Sequence, residues 1–218
     1  MTDESLIREV DEEVRQDEYK KIWSRYGNSL TTLIALVVLG VAGYEGWKYY
    51  QTTEAEKASV VYFDAVQKAN DGKSDDALAA FAAVKHPGFA SLGKIREAAV
   101  MAAKGDKDKA VAAYDAIIAD KATDASLADL ARIRQGYLLV DTMKPDELLT
   151  KLGALDKDGN VWRHSAREIF ALSAYRVKDY AMADRFMNAI FSDAEAPAAM
   201  KQRAQVLIQL IQPELVKK

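Results

Sequence analysis

The chain has 218 residues, a formal net charge of −3, four prolines and no cysteine. The missing cysteine excludes disulfides, thiolate metal sites and a cysteine nucleophile, and the lack of a basic surplus argues against a nucleic-acid partner. Half of the residues are apolar (50%), which favours a folded, helical chain over disorder.

Residues 1–28 hold eight Asp/Glu and five Lys/Arg and are expected to form an acidic tail. An amphipathic helix is expected there through Leu6, Val10 and Val14, then Ile22, Trp23 and Tyr26. From Gly27 to Tyr44 no residue is charged (GNSLTTLIALVVLGVAGY). That run is just long enough to span a bilayer, which takes roughly 17–25 mostly apolar residues. Trp23 and Tyr26 precede it, and Tyr44, Trp47, Tyr49 and Tyr50 follow, as suits aromatics at a membrane–water boundary. A cleaved export signal would need a short basic start and small residues at the cut, whereas here the leader is acidic and Tyr44-Glu45-Gly46-Trp47 is bulky. Residues 29–50 are therefore expected to be a permanent anchor. Arg15, Lys20, Lys21 and Arg25 lie before it, and only Lys48 and Lys57 lie over a similar distance after it. That bias keeps 1–28 in the cytoplasm and sends 51–218 across the membrane. Gly40, Gly43 and Gly46 recur every third residue, and Ala42 and Gly46 make a small-xxx-small pair. They mark a face for packing against another membrane helix, although glycine is also simply common in such helices.

Residues 51–218 carry an internal period. Ala77-x3-Phe81-x2-Val84, Ala110-x3-Tyr114-x2-Ile117, Leu148-x3-Leu152-x2-Leu155 and Ala183-x3-Met187-x2-Ile190 repeat at offsets of 33, 38 and 35 residues. Twelve residues before each first position stands a small residue: Ala65, Ala98, Gly136 and Ala171. The spacing predicts an all-α stack of about four helical hairpins, in which small residues on the first helix let the second approach. Gly72 and Gly105 read as helix-ending glycines. Residues 196–212 are expected to form a closing helix that Pro213 stops.

The pattern resembles tetratricopeptide repeats, of about 34 residues with a small-x3-aromatic signature; an irregular helical solenoid satisfies it as well. The whole layout resembles the YfgM-like family of bacterial inner-membrane proteins, ancillary subunits of the Sec translocon. The residues that carry this are Trp23-x3-Gly27-x2-Leu30, Gly46-Trp47-Lys48-Tyr49-Tyr50 and Ala58-Ser59-x2-Tyr62-x2-Ala65-Val66. The resemblance implies a repeat domain at the periplasmic exit of the SecYEG channel. It also implies cooperation with a membrane-anchored chaperone or prolyl isomerase and with exported polypeptides. A scaffold coordinating cell division or envelope assembly is the alternative.

No catalytic constellation, cofactor motif or metal site emerges. His86 and His164 have no ligand-spaced partner, and the loop Asp156-Lys157-Asp158-Gly159-Asn160 has Val161 and Arg167 where a calcium loop needs glycine and glutamate. Neither a phosphate loop nor a nucleophile elbow is present. Function is thus expected in a surface, the concave face lined by first helices. By resemblance to tetratricopeptide repeats, Tyr62, Arg134, Tyr137 and Arg176 are candidate groove residues. For the two tyrosines, ordinary packing between helices is the other reading.

Overall fold

The structure, a computed structural model, describes the backbone of residues 3–217 and the side chains from Tyr19 onward except that of Ile22. The expected apolar face through Leu6, Val10, Val14 and Ile22 therefore lies outside the described side chains. All regular structure among the described residues is helical. The chain divides into two compact units, residues 1–56 and 57–218.

The first unit belongs to helix α1 (Asp3–Asn70). Leu30, Leu33, Ile34, Leu36, Val37, Val38, Leu39 and Val41 are all exposed. A helix that is apolar all round belongs in a core or in lipid, and this one has almost no protein around it: only 6% of its most apolar stretch is buried. It is long and apolar enough to cross a membrane. The hydroxyls of Thr31 and Thr32 donate to the carbonyls of Gly27 and Asn28 at 2.7 and 2.8 Å, so the helix itself satisfies them. Gly27 lies under the Trp23 ring; a Cβ there would sit 3.3 Å from ring atoms, which accounts for the Trp-x3-Gly spacing. At Gly40, Gly43 and Gly46 a Cβ would meet nothing within 4 Å.

The second unit is a run of hairpins. The end of α1 pairs with α2 (Ser74–Ala82), α3 (Pro87–Lys104) with α4 (Lys107–Ala119), α5 (Ala125–Leu139) with α6 (Pro145–Leu152) and α7 (Arg163–Arg176) with α8 (Tyr180–Phe191). A 3₁₀ turn, Gly153–Leu155, extends α6. Helix α9 (Ala198–Val216) packs on α8. All twelve residues of the repeated second-helix pattern are buried, as are Ala65, Ala98, Gly136 and Ala171. Gly72 and Gly105 adopt φ of 77° and 95°, and the corresponding turn of the fourth hairpin places Lys178 at φ 62°. Pro87 and Pro145 start their helices, where a missing N–H costs nothing.

One expectation fails. Pro213 does not stop the closing helix, which runs on to Val216 with the proline inside it. The proline sits in the last turn and removes one backbone hydrogen bond there. Leu215, beyond it, packs against the large core of Leu148, Ile169, Phe170 and Ile211, and this contact holds the chain helical.

Gly136 is the tightest point: an added Cβ would lie 2.6 Å from Leu152 Cδ1 and 2.9 Å from Ile169 Cδ1. Gly136→Val should lower the unfolding free energy by about 1–3 kcal/mol through overpacking, measured by urea unfolding. Lys178→Gly should raise it by roughly 1 kcal/mol, because only glycine occupies the left-handed region without strain.

Candidate functional site

Tyr137, Leu172 and Leu207 recur every thirty-five residues and so occupy equivalent places on three successive first helices, α5, α7 and α9. With Glu168, Met187 and Arg203 they line an open, mainly apolar cleft of about 400 Å³. Glu168 is buried at the cleft floor, 6% exposed. A buried carboxylate requires close compensation. Arg203 provides a fork, with Nε donating to Oε1 at 2.6 Å and Nη2 to Oε2 at 3.1 Å. The Tyr137 hydroxyl donates to Oε2 at 2.6 Å. Burial first, and the Glu168 carboxylate second, hold the Tyr137 hydroxyl far above its ordinary pKa, so it remains a donor. The Arg203 side chain is itself 55% exposed, so the guanidinium presents its remaining N–H groups to whatever enters.

A second cluster sets where α9 begins. The first turn of α7 holds Arg163 and His164 and, one turn on, Arg167, so two guanidinium groups lie at the positive end of a helix dipole. Asp193, in the turn before α9, answers them. It accepts from Arg163 Nε and Nη2 at 3.1 and 3.0 Å and lies 3.0 Å from His164 Nε2. Arg163 also donates to Glu195 at 2.7 Å, and Arg167 to Asp156 at 2.6 Å. The backbone N–H of Glu195, then His164 and Arg163, hold the Asp193 carboxyl well below the usual carboxylate range. His164 is thus buried in a structural network. His86 caps α3, its Nδ1 accepting from the Gly88 N–H at 3.2 Å. Asp156 of the tested calcium loop is taken by Arg167, and among the described residues no group of three or more His, Asp or Glu could hold a metal ion.

Of the four groove residues expected from sequence, Tyr137 lines this cleft. Tyr62 is packed in the first hairpin, its ring 5.9 Å from Phe81 and 5.6 Å from Phe89. Arg134 is half-buried beside Tyr114. Arg176 donates to the carbonyls of Val140 and Met143 at 3.0 and 2.7 Å and so fastens the turn between α5 and α6. The cleft does not bring the four together. Glu168 and Arg203 went unnoticed in the sequence, although the repeat register places them one turn before Leu172 and Leu207.

The family model described as tetratricopeptide repeat-like domain matches residues 20–169. The chain belongs to that family. The match takes in the apolar part of α1 and the hairpins as far as the first turns of α7. Among curated proteins the chain is similar to the ancillary SecYEG translocon subunit of Escherichia coli (strain K12), with 27% identity over 152 residues, 67% of this chain and 73% of that protein. The resemblance read from Trp23, Gly27 and the Gly46–Tyr50 stretch is to the same kind of protein. No solved structure matches.

Two outcomes follow from this geometry. Tyr137→Phe leaves Glu168 short of one donor and should cost about 1.5–3 kcal/mol in urea unfolding. Asp193 has a folded pKa below its unfolded value, so its contribution is complete above about pH 4 and is lost as pH falls further. Asp193→Asn should therefore unfold at lower urea than the parent at pH 7, and the difference should shrink at pH 3.

Proposed function

We propose that this protein is a non-enzymatic, membrane-anchored adaptor, an ancillary subunit of the Sec translocon. The anchor spans the bacterial inner membrane with residues 1–28 in the cytoplasm and 51–218 in the periplasm, as the cations before the apolar run favour. It works in the periplasmic chaperone network beside a membrane-anchored chaperone or prolyl isomerase, and binds partner proteins or exported polypeptides. The observation that carries this reading is the similarity to a SecYEG subunit over 73% of that protein. The exposed apolar helix and the cleft across α5, α7 and α9 support it: the first confines the protein near a channel and raises its effective concentration, and the second offers apolar wall and guanidinium donors to an extended chain.

Purification of the full-length protein from membranes in mild detergent should bring Sec channel subunits with it. Replacing residues 29–50 by an unrelated membrane helix should deplete them, if Gly40, Gly43 and Gly46 form a packing face. A photo-cross-linker at Tyr137 should capture exported chains in transit. Recovery of division or envelope-assembly proteins without channel subunits would overturn the translocon reading in favour of a scaffold.

A further inference from the structure

Glu168 and Arg203 stand at a repeat position that the earlier first helices fill with Tyr62, Ile95 and Ile133. Those three are buried in the core. A carboxylate and a guanidinium thus replace core side chains at the floor of the cleft across α5, α7 and α9. Their hydrogen bonds leave an uneven balance. Glu168 Oε1 accepts from Arg203 Nε, and Oε2 accepts from Arg203 Nη2 and from the Tyr137 hydroxyl. Both carboxylate oxygens and the hydroxyl hydrogen are therefore engaged within the chain. A guanidinium carries five N–H groups; Glu168 takes one on Nε and one on Nη2, and the rest face outward on a side chain that is half-exposed. Among the lining residues Glu168 and Arg203 alone are charged, and they cancel; Leu172, Met187 and Leu207 are apolar. The cleft is thus an apolar, electrically neutral surface with N–H donors left over.

We propose that the cleft takes an uncharged, apolar stretch of extended polypeptide, held by its main-chain carbonyls on Arg203, and rejects segments that bring a carboxylate there. The donors select the acceptor. A carboxylate entering the cleft sheds its water against apolar walls at high cost. The charge of Arg203 does not repay that cost, because Glu168 already matches it and repels a second anion from behind. A peptide carbonyl is neutral and costs less to desolvate, and an acceptor is what the outward N–H groups lack. A helical segment has its carbonyls paired within itself, so these donors favour an extended one. Met187, unbranched and flexible, lets the wall fit apolar side chains of different shapes. This inference rests on the cleft being the binding surface proposed above, and it is independent of attachment to the channel.

The test uses the full-length protein in lipid bilayer discs and short fluorescent peptides of a single leucine- and valine-rich sequence. One peptide has both ends blocked, one has a free C-terminal carboxylate, and one is blocked but carries an aspartate at its centre. Fluorescence anisotropy, corrected for empty discs, should show the blocked neutral peptide binding about tenfold tighter than either of the others. Glu168→Gln keeps an amide oxygen as acceptor for Arg203 and Tyr137 but leaves the guanidinium charge unmatched. It should erase the preference, with the aspartate peptide gaining most. Urea unfolding checks that this variant is folded, and the comparison of the three peptides on the unaltered protein stands without it. Binding of a carboxylate peptide as tightly as the neutral one overturns the proposal. So does failure of the neutral peptide to bind, or an unchanged preference in folded Glu168→Gln. Co-purification of channel subunits is read separately on the unaltered protein, so the translocon reading and this one fail independently.

Discussion

The close approach of paired helices is the constraint on which the repeat domain depends. Each first helix must offer a small residue where the second helix crosses it. Ala65, Ala98, Gly136 and Ala171 do so, and all are buried. The third hairpin shows that volume, rather than residue type, is what the packing regulates. Its second helix carries Leu148, Leu152 and Leu155 where the first two hairpins carry alanine, an aromatic and a β-branched residue. The facing first helix gives up its Cβ at Gly136, where Leu152 of the second helix and Ile169 of the next hairpin already fill the space. Interiors at crystal-like density tolerate exchanges of this kind only when total volume is kept.

The same stacking makes the cleft. Because the repeat brings equivalent positions of successive first helices side by side, Tyr137, Leu172 and Leu207 form one line without any loop having to reach across. Two of the three are leucines, so the line is apolar; the tyrosine at its start and Glu168 beside it introduce a polar floor. Glu168 is tolerable there only while Arg203 lies over it, and the placement of Arg203 depends on where α9 starts. Asp193 and Glu195, held by Arg163 and His164, set that start. The electrostatics of the turn before α9 and those of the cleft are thus successive parts of one construction.

Much of this was legible in the sequence because it is periodic. The twelve second-helix positions and the four small first-helix positions could be read from spacing, since burial on a helix recurs with the repeat. The glycine turns were legible because positive φ has a residue preference, and the Lys178 turn was not, because lysine carries no such signal. Pro213 misled because local propensity was set against a packing term, Leu215 on the core, that only the fold reveals. In the cleft, Tyr137 follows from the resemblance to tetratricopeptide repeats. Glu168 and Arg203 share the thirty-five-residue spacing, but a single Glu and a single Arg look like ordinary surface residues until a neighbouring helix buries one of them. Tyr62 and Arg176 have the residue types of binding anchors, and the fold uses them for packing and for fastening a turn.

The glycines show how far residue type alone can be taken. Gly136 and Gly40 are both small residues at helix-packing spacing, although for Gly40 glycine is also simply common in membrane helices. At Gly136 the neighbour is in the chain, and the space is full. At Gly40, Gly43 and Gly46 the space is empty, and the surrounding Leu, Ile and Val side chains are exposed. Small residues promote helix association in a bilayer by letting backbones meet, and they do so without any apolar driving force, because lipid is as apolar as leucine. The repeat domain satisfies its small positions internally through the hydrophobic effect. The apolar helix offers Gly40, Gly43 and Gly46 no such neighbour among the described residues, so nothing in its own fold calls for glycine there.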